Sequence, residues 1–167
     1  DADPFDGAGF SRNDCTVQVA EQVQAPADAN TEVVIRPLDT DAHWARSAAL
    51  HMQDLPEHVD RDAFEICTAE QSAQMRALCD AGHGRWLGAF LGDLPVASCG
   101  IFVGPDRIAR YQDVVTDNAH RRRGICGRLV TEAGRRAVEE MGAKQIVITA
   151  NRGSSASRIY QSVGLKQ

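Results

Sequence analysis

The chain has little lysine, few aromatic residues and no long apolar run, and each shortage excludes a class of protein. Only two of its 18 basic residues are lysine, and 23 acidic residues give a net charge of −5, which argues against a general nucleic-acid-binding protein. No apolar run approaches the roughly 18 residues of a membrane-spanning helix. The first residues lack the basic and apolar stretches of a signal peptide. The sequence therefore predicts a cytoplasmic protein without a nucleic-acid or membrane partner.

Cysteine and histidine are present without the spacing of a metal site. The five cysteines are widely separated, odd in number and include no Cys-x-x-Cys pair, which argues against a zinc site and a disulfide framework. The five histidines share no spacing typical of metal ligands. We therefore expect buried, reduced thiols and no metal.

The length suits one domain, preceded by a less regular segment. Residues 1–30 are irregular except for an alternating stretch at 15–19, and 24–30 has the composition of a linker. From residue 31 onward, the pattern predicts an α/β or α+β fold in the order β-α-α-β-β-β-α-β-α, with helices on both faces of the sheet. The predicted strands lie at 31–38, 85–91, 95–103, 108–116 and 145–149, and the predicted helices at 41–53, 60–81, 124–141 and 155–162.

The stretch 114–130, VVTDNAHRRRGICGRLV, carries the clearest chemical signal. A strand ends, three arginines follow in a polar loop, and Gly124 opens a helix with an apolar face. The first N–H groups of a helix lack internal partners and its dipole adds partial positive charge, so small residues there allow an anion to approach the backbone. Three arginines alone are more often a solvated surface, but this context predicts a diphosphate site. No Lys-Ser/Thr follows the glycine, which excludes an ATP P-loop, and there is no G-x-G-x-x-G.

Two segments together resemble a known family. HRRRGICGRLV resembles Q/R-x-x-G-x-G/A, the coenzyme A pyrophosphate motif of the GNAT N-acetyltransferase superfamily, with Arg121, Gly124 and Cys126 in the first, fourth and sixth places. Cysteine replaces the family's Gly or Ala. Further along, RIYQSVGL at 158–165 resembles the family's x-x-Y-x-x-x-G-F, with Leu165 in place of the aromatic residue.

The resemblance covers about residues 31–167 and implies a mixed, mostly antiparallel sheet. It implies acetyl transfer from acetyl-coenzyme A, the cosubstrate, to a primary amine of a small molecule or peptide. In the family, the strand before the motif parts from its neighbour and pairs with the pantetheine arm, and the following turn binds the pyrophosphate. The cofactor-binding residues carried over by position are Val114, Val115, Thr116, Arg121, Arg122, Arg123, Gly124, Ile125, Cys126, Gly127, Arg128, Asn151 and Tyr160.

The resemblance also implies catalytic roles. Tyr160 takes the place of the acid that protonates the leaving thiolate, a role that suits a tyrosine when its site lowers its pKa. Gly153 and Ile148 stand where many members have a cofactor-binding Asn and some have a glutamate base. The base must therefore come from elsewhere, or water must relay the proton. The candidate bases are Asp113, with Glu57 and His58 in the loop between the first helices as alternatives.

Several other interpretations stay open. A non-catalytic coenzyme A-binding sensor or assembly module would carry the same motifs, and the missing carboxylate on the fifth strand favours it. Asp113 alone is more often structural, paired with a neighbour such as Arg110. Tyr160 alone is more often a packing residue. Cys126 could be a nucleophile at a helix N-terminus, but packing beneath the cofactor is the preferred interpretation.

The ends of the domain are unusual for the family. Family members normally have two closing strands after the Gly-Phe segment, and only residues 165–167 remain here, which truncation would explain; residues 9–23 resemble such a pair. Residues 1–30 are therefore expected to complete the sheet of this chain or of a neighbour, or to be the remnant of a preceding GNAT-like unit. Exchange of strands between two copies would give a homodimer.

Overall fold

The computed structural model describes residues 14–55 and 58–167, which form one six-stranded sheet and four α-helices. The predicted order of elements is confirmed. Glu57, a candidate base, lies outside the described residues. The strands are β1 (Cys15–Ala20), β2 (Val34–Pro37), β3 (Gly84–Leu91), β4 (Leu94–Val103), β5 (Ile108–Thr116) and β6 (Gln145–Asn151). The helices are α1 (Asp41–His51), α2 (Arg61–Asp80), α3 (Ile125–Glu139) and α4 (Ser155–Ser162), with short 3-10 turns at Met52–Asp54 and Asn118–His120.

The sheet is mixed and mostly antiparallel, as the resemblance implies. Its strand order is β1-β6-β5-β4-β3-β2, and every neighbouring pair is antiparallel except β5 and β6. β1 pairs with β6 along its whole length, and Val19 also pairs with Lys166 on the outer edge of β1. Residues 15–20 thus belong to the sheet of their own chain.

The side chains of β3 point alternately to the two faces of the sheet, and an apolar cluster lies on each face. Trp86 and Phe90 pack with Trp44 of α1 in the smaller cluster. Leu87, on the opposite face, packs in the larger cluster with Leu129 of α3 and with α4 side chains. Helices therefore cover both faces, as predicted. Among the described residues, no helix is both long and apolar enough to cross a bilayer.

Side-chain oxygens cap the N-termini of three of the helices, because the first N–H groups of a helix need acceptors from outside it. The side chain of Thr40 accepts from the backbone N–H of His43 at the start of α1. Asp60 and Ser154 cap α2 and α4 in the same way. These caps are readable in the sequence, which explains why the helix starts were predicted to within one residue.

Several predicted boundaries are wrong, and those of one strand and one helix bear on the site. The first strand of the domain begins at Val34 rather than at residue 31, because the Asn30 side chain accepts from the N–H groups of Glu32 (2.8 Å) and Val33 (3.0 Å). This Asx-type turn competes with strand pairing. The long helix excludes Gly124, which is its cap with φ +70°, and ends at Glu139 rather than at residue 141.

The pKa of Glu132 on α3 gives a first prediction. Hydrogen bonds from Arg135 and Arg136 hold this pKa at about 2, and Arg136 also donates to the Ile35 carbonyl (3.2 Å), which ties α3 to β2. A carboxylate whose pKa is lowered on folding stabilises the fold at pH values above its ordinary pKa. This stabilisation is lost as the pH falls towards the lowered pKa. We expect Glu132→Gln to reduce the free energy of unfolding by about 1–2 kcal/mol at pH 7.

Urea unfolding at pH 7, 5 and 3 measures this effect. The difference from the wild type should shrink as the pH falls from 5 towards 3. Glu70→Gln, at an exposed position on α2, is the matched control and should leave stability unchanged at each pH. A Glu132→Gln deficit that is equally large at pH 3 would contradict the ionic origin of the effect.

Candidate functional site

β5 leaves its regular pairing near its C-terminal end. Ser98 pairs with Val115 and Gly100 with Gln112, so β5 contains one residue more than β4 between these pairs. The extra length is a β-bulge, and Asp113 within it has φ +49°, a left-handed conformation that is rare outside glycine. On its other side, β5 pairs with β6 only over its first three residues, Ile108–Arg110. Beyond Arg110 the two strands part, leaving one backbone edge of β5 without a strand partner among the described residues.

The turn after β5 is anchored from two sides. Asp117 accepts from the N–H of Ala119 (2.9 Å), and its carboxylate pairs with Arg46 of α1. The Arg121 guanidinium donates back to the carbonyl of Thr116 (3.2 Å). These contacts set the path of the chain between the end of β5 and the start of α3.

The turn ends in a backbone geometry suited to an anion. Arg122 (φ +59°) and Gly124 (φ +70°) both adopt the left-handed conformation, and the first backbone bond of α3 is donated by Arg128 to the Gly124 carbonyl (3.1 Å). The N–H groups before Arg128 therefore have no partner within the helix. Left-handed residues beside free N–H groups form anion-binding concavities, and the helix dipole adds to the attraction.

Gly124 is required by its contacts as well as by its φ angle. A Cβ at this position would lie 2.1 Å from the Asp28 carbonyl oxygen and 2.9 Å from the Asn30 nitrogen. At Gly127, a Cβ would lie 2.9 Å from the Pro26 ring. In the sequence, these small residues predict close approach by a phosphate. The structure adds a second reason, which is that residues 26–30 pack directly against this turn.

A cavity of about 780 Å³ extends from the parted strands to this turn. Ten of the predicted site residues line it. Three basic side chains, Arg121, Arg122 and Arg158, face a single acidic one, Asp28, within the described lining, which favours an anionic ligand. The lining consists of Pro26, Asp28, Val114, Val115, Thr116, His120, Arg121, Arg122, Gly124, Ile125, Cys126, Gly127, Ser155, Ala156, Arg158, Ile159, Tyr160 and Ser162.

Three of the predicted cofactor-binding residues lie outside this lining. Arg123 forms an ion pair with Glu32 (2.7 Å). Asn151 accepts from the Cys15 thiol (3.4 Å) at the end of β6. Arg128 lies one turn into α3. Sequence reasoning also missed the other α4 residues of the lining, of which Ala156 lies four positions before Tyr160, the spacing that places two side chains on one face of a helix.

Tyr160 lies in the wall of this cavity. Its side chain is 5% exposed, and no hydrogen bond to its hydroxyl is present within the described part of the chain. Burial raises the pKa of the Tyr160 phenol above its ordinary value. A lowered pKa, the condition under which a tyrosine suits the acid role, is therefore not what burial produces here. The phenol stays protonated and can donate a hydrogen bond to an atom in the cavity.

Cys126 is half-buried at the start of α3 and lines this cavity. Burial raises its pKa to about 11, although it lies at a helix N-terminus and is hydrogen-bonded with Thr116. The thiol is therefore protonated at neutral pH and is a poor nucleophile. This supports the packing interpretation over the nucleophilic one.

We expect iodoacetamide at pH 8 to alkylate Cys15 and Cys67, which are exposed, and to leave Cys99 and Cys126 intact until the protein unfolds. Mass spectrometry of peptides after brief alkylation measures this. Cys126→Ala should bind the anionic ligand of this cavity with the affinity of the wild type. Rapid labelling of Cys126 in the folded protein would contradict the inert thiol.

A second cavity, of about 190 Å³, lies on the other side of the bulge. Asp113 reaches it from β5, and both of its carboxylate oxygens accept side-chain amides, from Gln71 (2.9 Å) and Gln112 (3.1 Å). The alternative that Asp113 forms an ion pair with Arg110 is not supported, because these contacts are with glutamine amides. The lining consists of Ser47, Ala48, His51, Phe64, Cys67, Thr68, Gln71, Ser72, Trp86 and Asp113.

His51 is a residue that sequence reasoning missed. It ends α1, lies in the second cavity and is half-buried. Burial lowers the pKa of its imidazole, and the charge of Asp113 opposes that shift in part. His58, a candidate base, is exposed and lines neither cavity. Ile148 is buried in the sheet and pairs with Gln18.

Comparison with known proteins gives one family. Residues 49–165 match the profile described as the acetyltransferase (GNAT) family. No curated protein matches the chain.

Solved structures resemble the chain at low sequence identity. A GCN5-related N-acetyltransferase from Kribbella flavida is 18% identical, with a TM-score of 0.64 over 94% of this chain and 55% of that one. One from Sphaerobacter thermophilus is 15% identical, with a TM-score of 0.67 over 97% of this chain and 51% of that one. The chain thus spans about half the length of these two proteins. A predicted acetyltransferase from Clostridium acetobutylicum, solved with acetyl-CoA, is 12% identical, with a TM-score of 0.63 over 81% of this chain and 90% of that one. At these identities, the likeness shows the fold.

Proposed function

Because the chain belongs to the GNAT acetyltransferase family, we propose that it transfers an acetyl group from acetyl-coenzyme A to a primary amine of a small molecule or peptide. The observation that carries the proposal is the turn at Arg122–Gly124. Its two left-handed residues and the free N–H groups of α3 open into the 780 Å³ cavity, where a diphosphate would meet both dipole and arginine charge.

The residues of this cavity fit the rest of the cosubstrate. The edge of β5 at Val114–Thr116 lacks a strand partner on the β6 side, so an extended pantetheine arm can add to it as a strand would. The thioester of such an arm would lie between the parted strands, close to the bulge. The bound cosubstrate supplies the activated acetyl group.

The chain's own groups have three tasks in the transfer. The turn and β5 hold the acetyl carbonyl in line with the amine, and alignment alone lowers the barrier strongly. A backbone N–H near Val115 stabilises negative charge that develops on the carbonyl oxygen. Tyr160 donates a hydrogen bond to the sulfur as it departs. Because a phenol is a weaker acid than a thiol, Tyr160 stabilises the charge without having to give up its proton.

A second candidate is a non-catalytic coenzyme A-binding sensor or assembly module of the same fold. It is favoured by Ile148, which is 3% exposed and cannot take a proton, at the place where some family members have a glutamate base. This candidate predicts binding of the cosubstrate without turnover.

Isothermal titration calorimetry with acetyl-coenzyme A, paired with a thiol-release assay over a panel of primary amines, tests both candidates. We expect saturable binding and amine-dependent thiol release. Acetyl-pantetheine, which lacks the diphosphate, should bind far more weakly. Binding without thiol release on any amine would support the sensor or module, and no binding at millimolar concentration would overturn both.

A further inference from the structure

Consecutive residues of the bulge line the two cavities. Asp113 lines the smaller cavity and Val114 the larger, and neighbouring Cα atoms lie about 3.8 Å apart. Resting on the proposed function, we propose that the smaller cavity binds the acceptor amine, with the Asp113 carboxylate receiving its ammonium group and His51 taking a proton from it.

The conformation and contacts of Asp113 suit a cation receptor. The bulge turns this residue out of the regular alternation of β5, and the amides of Gln71 and Gln112 orient its carboxylate from two sides. Within the described residues, no arginine or lysine forms an ion pair with it. A carboxylate held by neutral donors in a cavity attracts a substrate cation, whereas an ion-paired one is already compensated.

His51 faces the same space from the end of α1. The titratable groups around it are Asp113 from β5 and Cys67 from α2, and no hydrogen bond to its imidazole occurs within the described residues. Because burial lowers its pKa, the imidazole is neutral at pH 7 and can accept a proton. Asp113 therefore serves as the anion and His51 as the proton acceptor.

The size and walls of the cavity define the class of amine. Its volume of about 190 Å³ suits a small substrate, and Ala48, Phe64 and Trp86 supply apolar wall. The Trp86 Nε1–H is already donated to Ser47 Oγ (3.2 Å), so the indole offers its apolar surface rather than its donor. The acceptor is accordingly a small primary amine on an apolar or aromatic stem.

The proton balance of the step is complete with these groups. The ammonium gives one proton to His51, which returns it to solvent between turnovers. The free amine then forms the C–N bond to the acetyl carbon as the C–S bond breaks. The departing sulfur takes the second proton of the nitrogen. The products are the acetamide and the free thiol, and no oxidant or reductant is needed.

His51→Gln and Asp113→Asn test the two roles with benzylamine as the probe. His51→Gln should lower kcat about 100-fold or more, the usual contribution of a general base. The wild-type rate should rise with pH through the lowered pKa of His51 and then level off. In His51→Gln, that inflection should be replaced by a continuous rise as free benzylamine becomes available.

Binding gives a readout independent of turnover. Asp113→Asn keeps a side chain that tolerates the left-handed conformation, so it should fold, and its dissociation constant for benzylamine without cosubstrate should rise about tenfold in NMR titrations. The same NMR experiment should show the His51 imidazole titrating below about 6.5. His83→Gln, at an exposed position outside both cavities, is the matched control and should behave as the wild type.

The outcomes separate the inference from the proposed function. Wild-type rate and pH profile in His51→Gln, with acetyl transfer intact, would overturn the role of His51 and leave the function standing. Unchanged benzylamine affinity in Asp113→Asn would overturn the role of Asp113. Failure of the wild type to bind acetyl-coenzyme A would remove the proposed function, and the inference with it.

Discussion

Gly124→Ala is expected to abolish binding of acetyl-coenzyme A at micromolar concentration and to destabilise the fold. The left-handed conformation of Gly124 costs about 1–2 kcal/mol for any other residue. A methyl group 2.1 Å from the Asp28 carbonyl oxygen also forces residues 28–30 away from the turn. The contacts at risk are the bonds of Asn30 to the carbonyls of Arg123 (2.9 Å) and Gly124 (3.4 Å).

The effect on affinity follows from the geometry of the turn. If two N–H groups lose their aim at the diphosphate, and each charge-assisted bond contributes at least ~1.5 kcal/mol, affinity falls about 100-fold or more. Calorimetry measures the affinity and thermal unfolding the stability.

Gly92→Ala is the matched control for Gly124→Ala. Gly92 has a similar φ of +61°, but a Cβ there would meet nothing within 4 Å. It should show the conformational cost alone, with unchanged affinity. If Gly124→Ala binds acetyl-coenzyme A as tightly as the wild type, this turn is not the diphosphate site.

The helices were predictable because their signals are local. Ile125, Leu129, Ala133 and Ala137 of α3 recur every four residues, and all are at most 1% exposed in the structure. The strand at 15–19 was also predicted from alternation. Its partner was not, because pairing with β6 joins residues more than 120 positions apart and no local pattern encodes that choice.

The same limit applies to the site. The motif at Arg121–Gly127 identifies an anion-binding turn from adjacent residues. The contact of Gly124 with residues 28–30 is invisible in the motif, since it comes from a segment that local patterns mark only as a linker. Asp113 and His51 lie far apart in sequence, and only a bulge with a left-handed residue brings them to one cavity.

Tyr160→Phe is expected to lower kcat for acetyl transfer about 100-fold, the usual cost of losing one hydrogen-bond donor to developing charge, while leaving the KM for acetyl-coenzyme A and the stability nearly unchanged. The phenyl ring keeps the buried packing. The hydroxyl has no hydrogen-bond partner among the described residues, so its removal leaves no buried group unsatisfied. Since burial raises the pKa of Tyr160, the wild-type rate should show no loss from its ionisation up to about pH 10.

Tyr111→Phe is the control, because Tyr111 is the other tyrosine of the chain. We expect it to lose stability and to keep its activity. The Tyr111 hydroxyl donates to the Val130 carbonyl (2.7 Å) in the core, and its loss leaves that buried carbonyl without this donor. Stability should fall by about 1–2 kcal/mol with kcat unchanged. If Tyr160→Phe instead loses stability and keeps its kcat, the hydroxyl has a structural role, and the departing sulfur must be stabilised by another donor in the cavity.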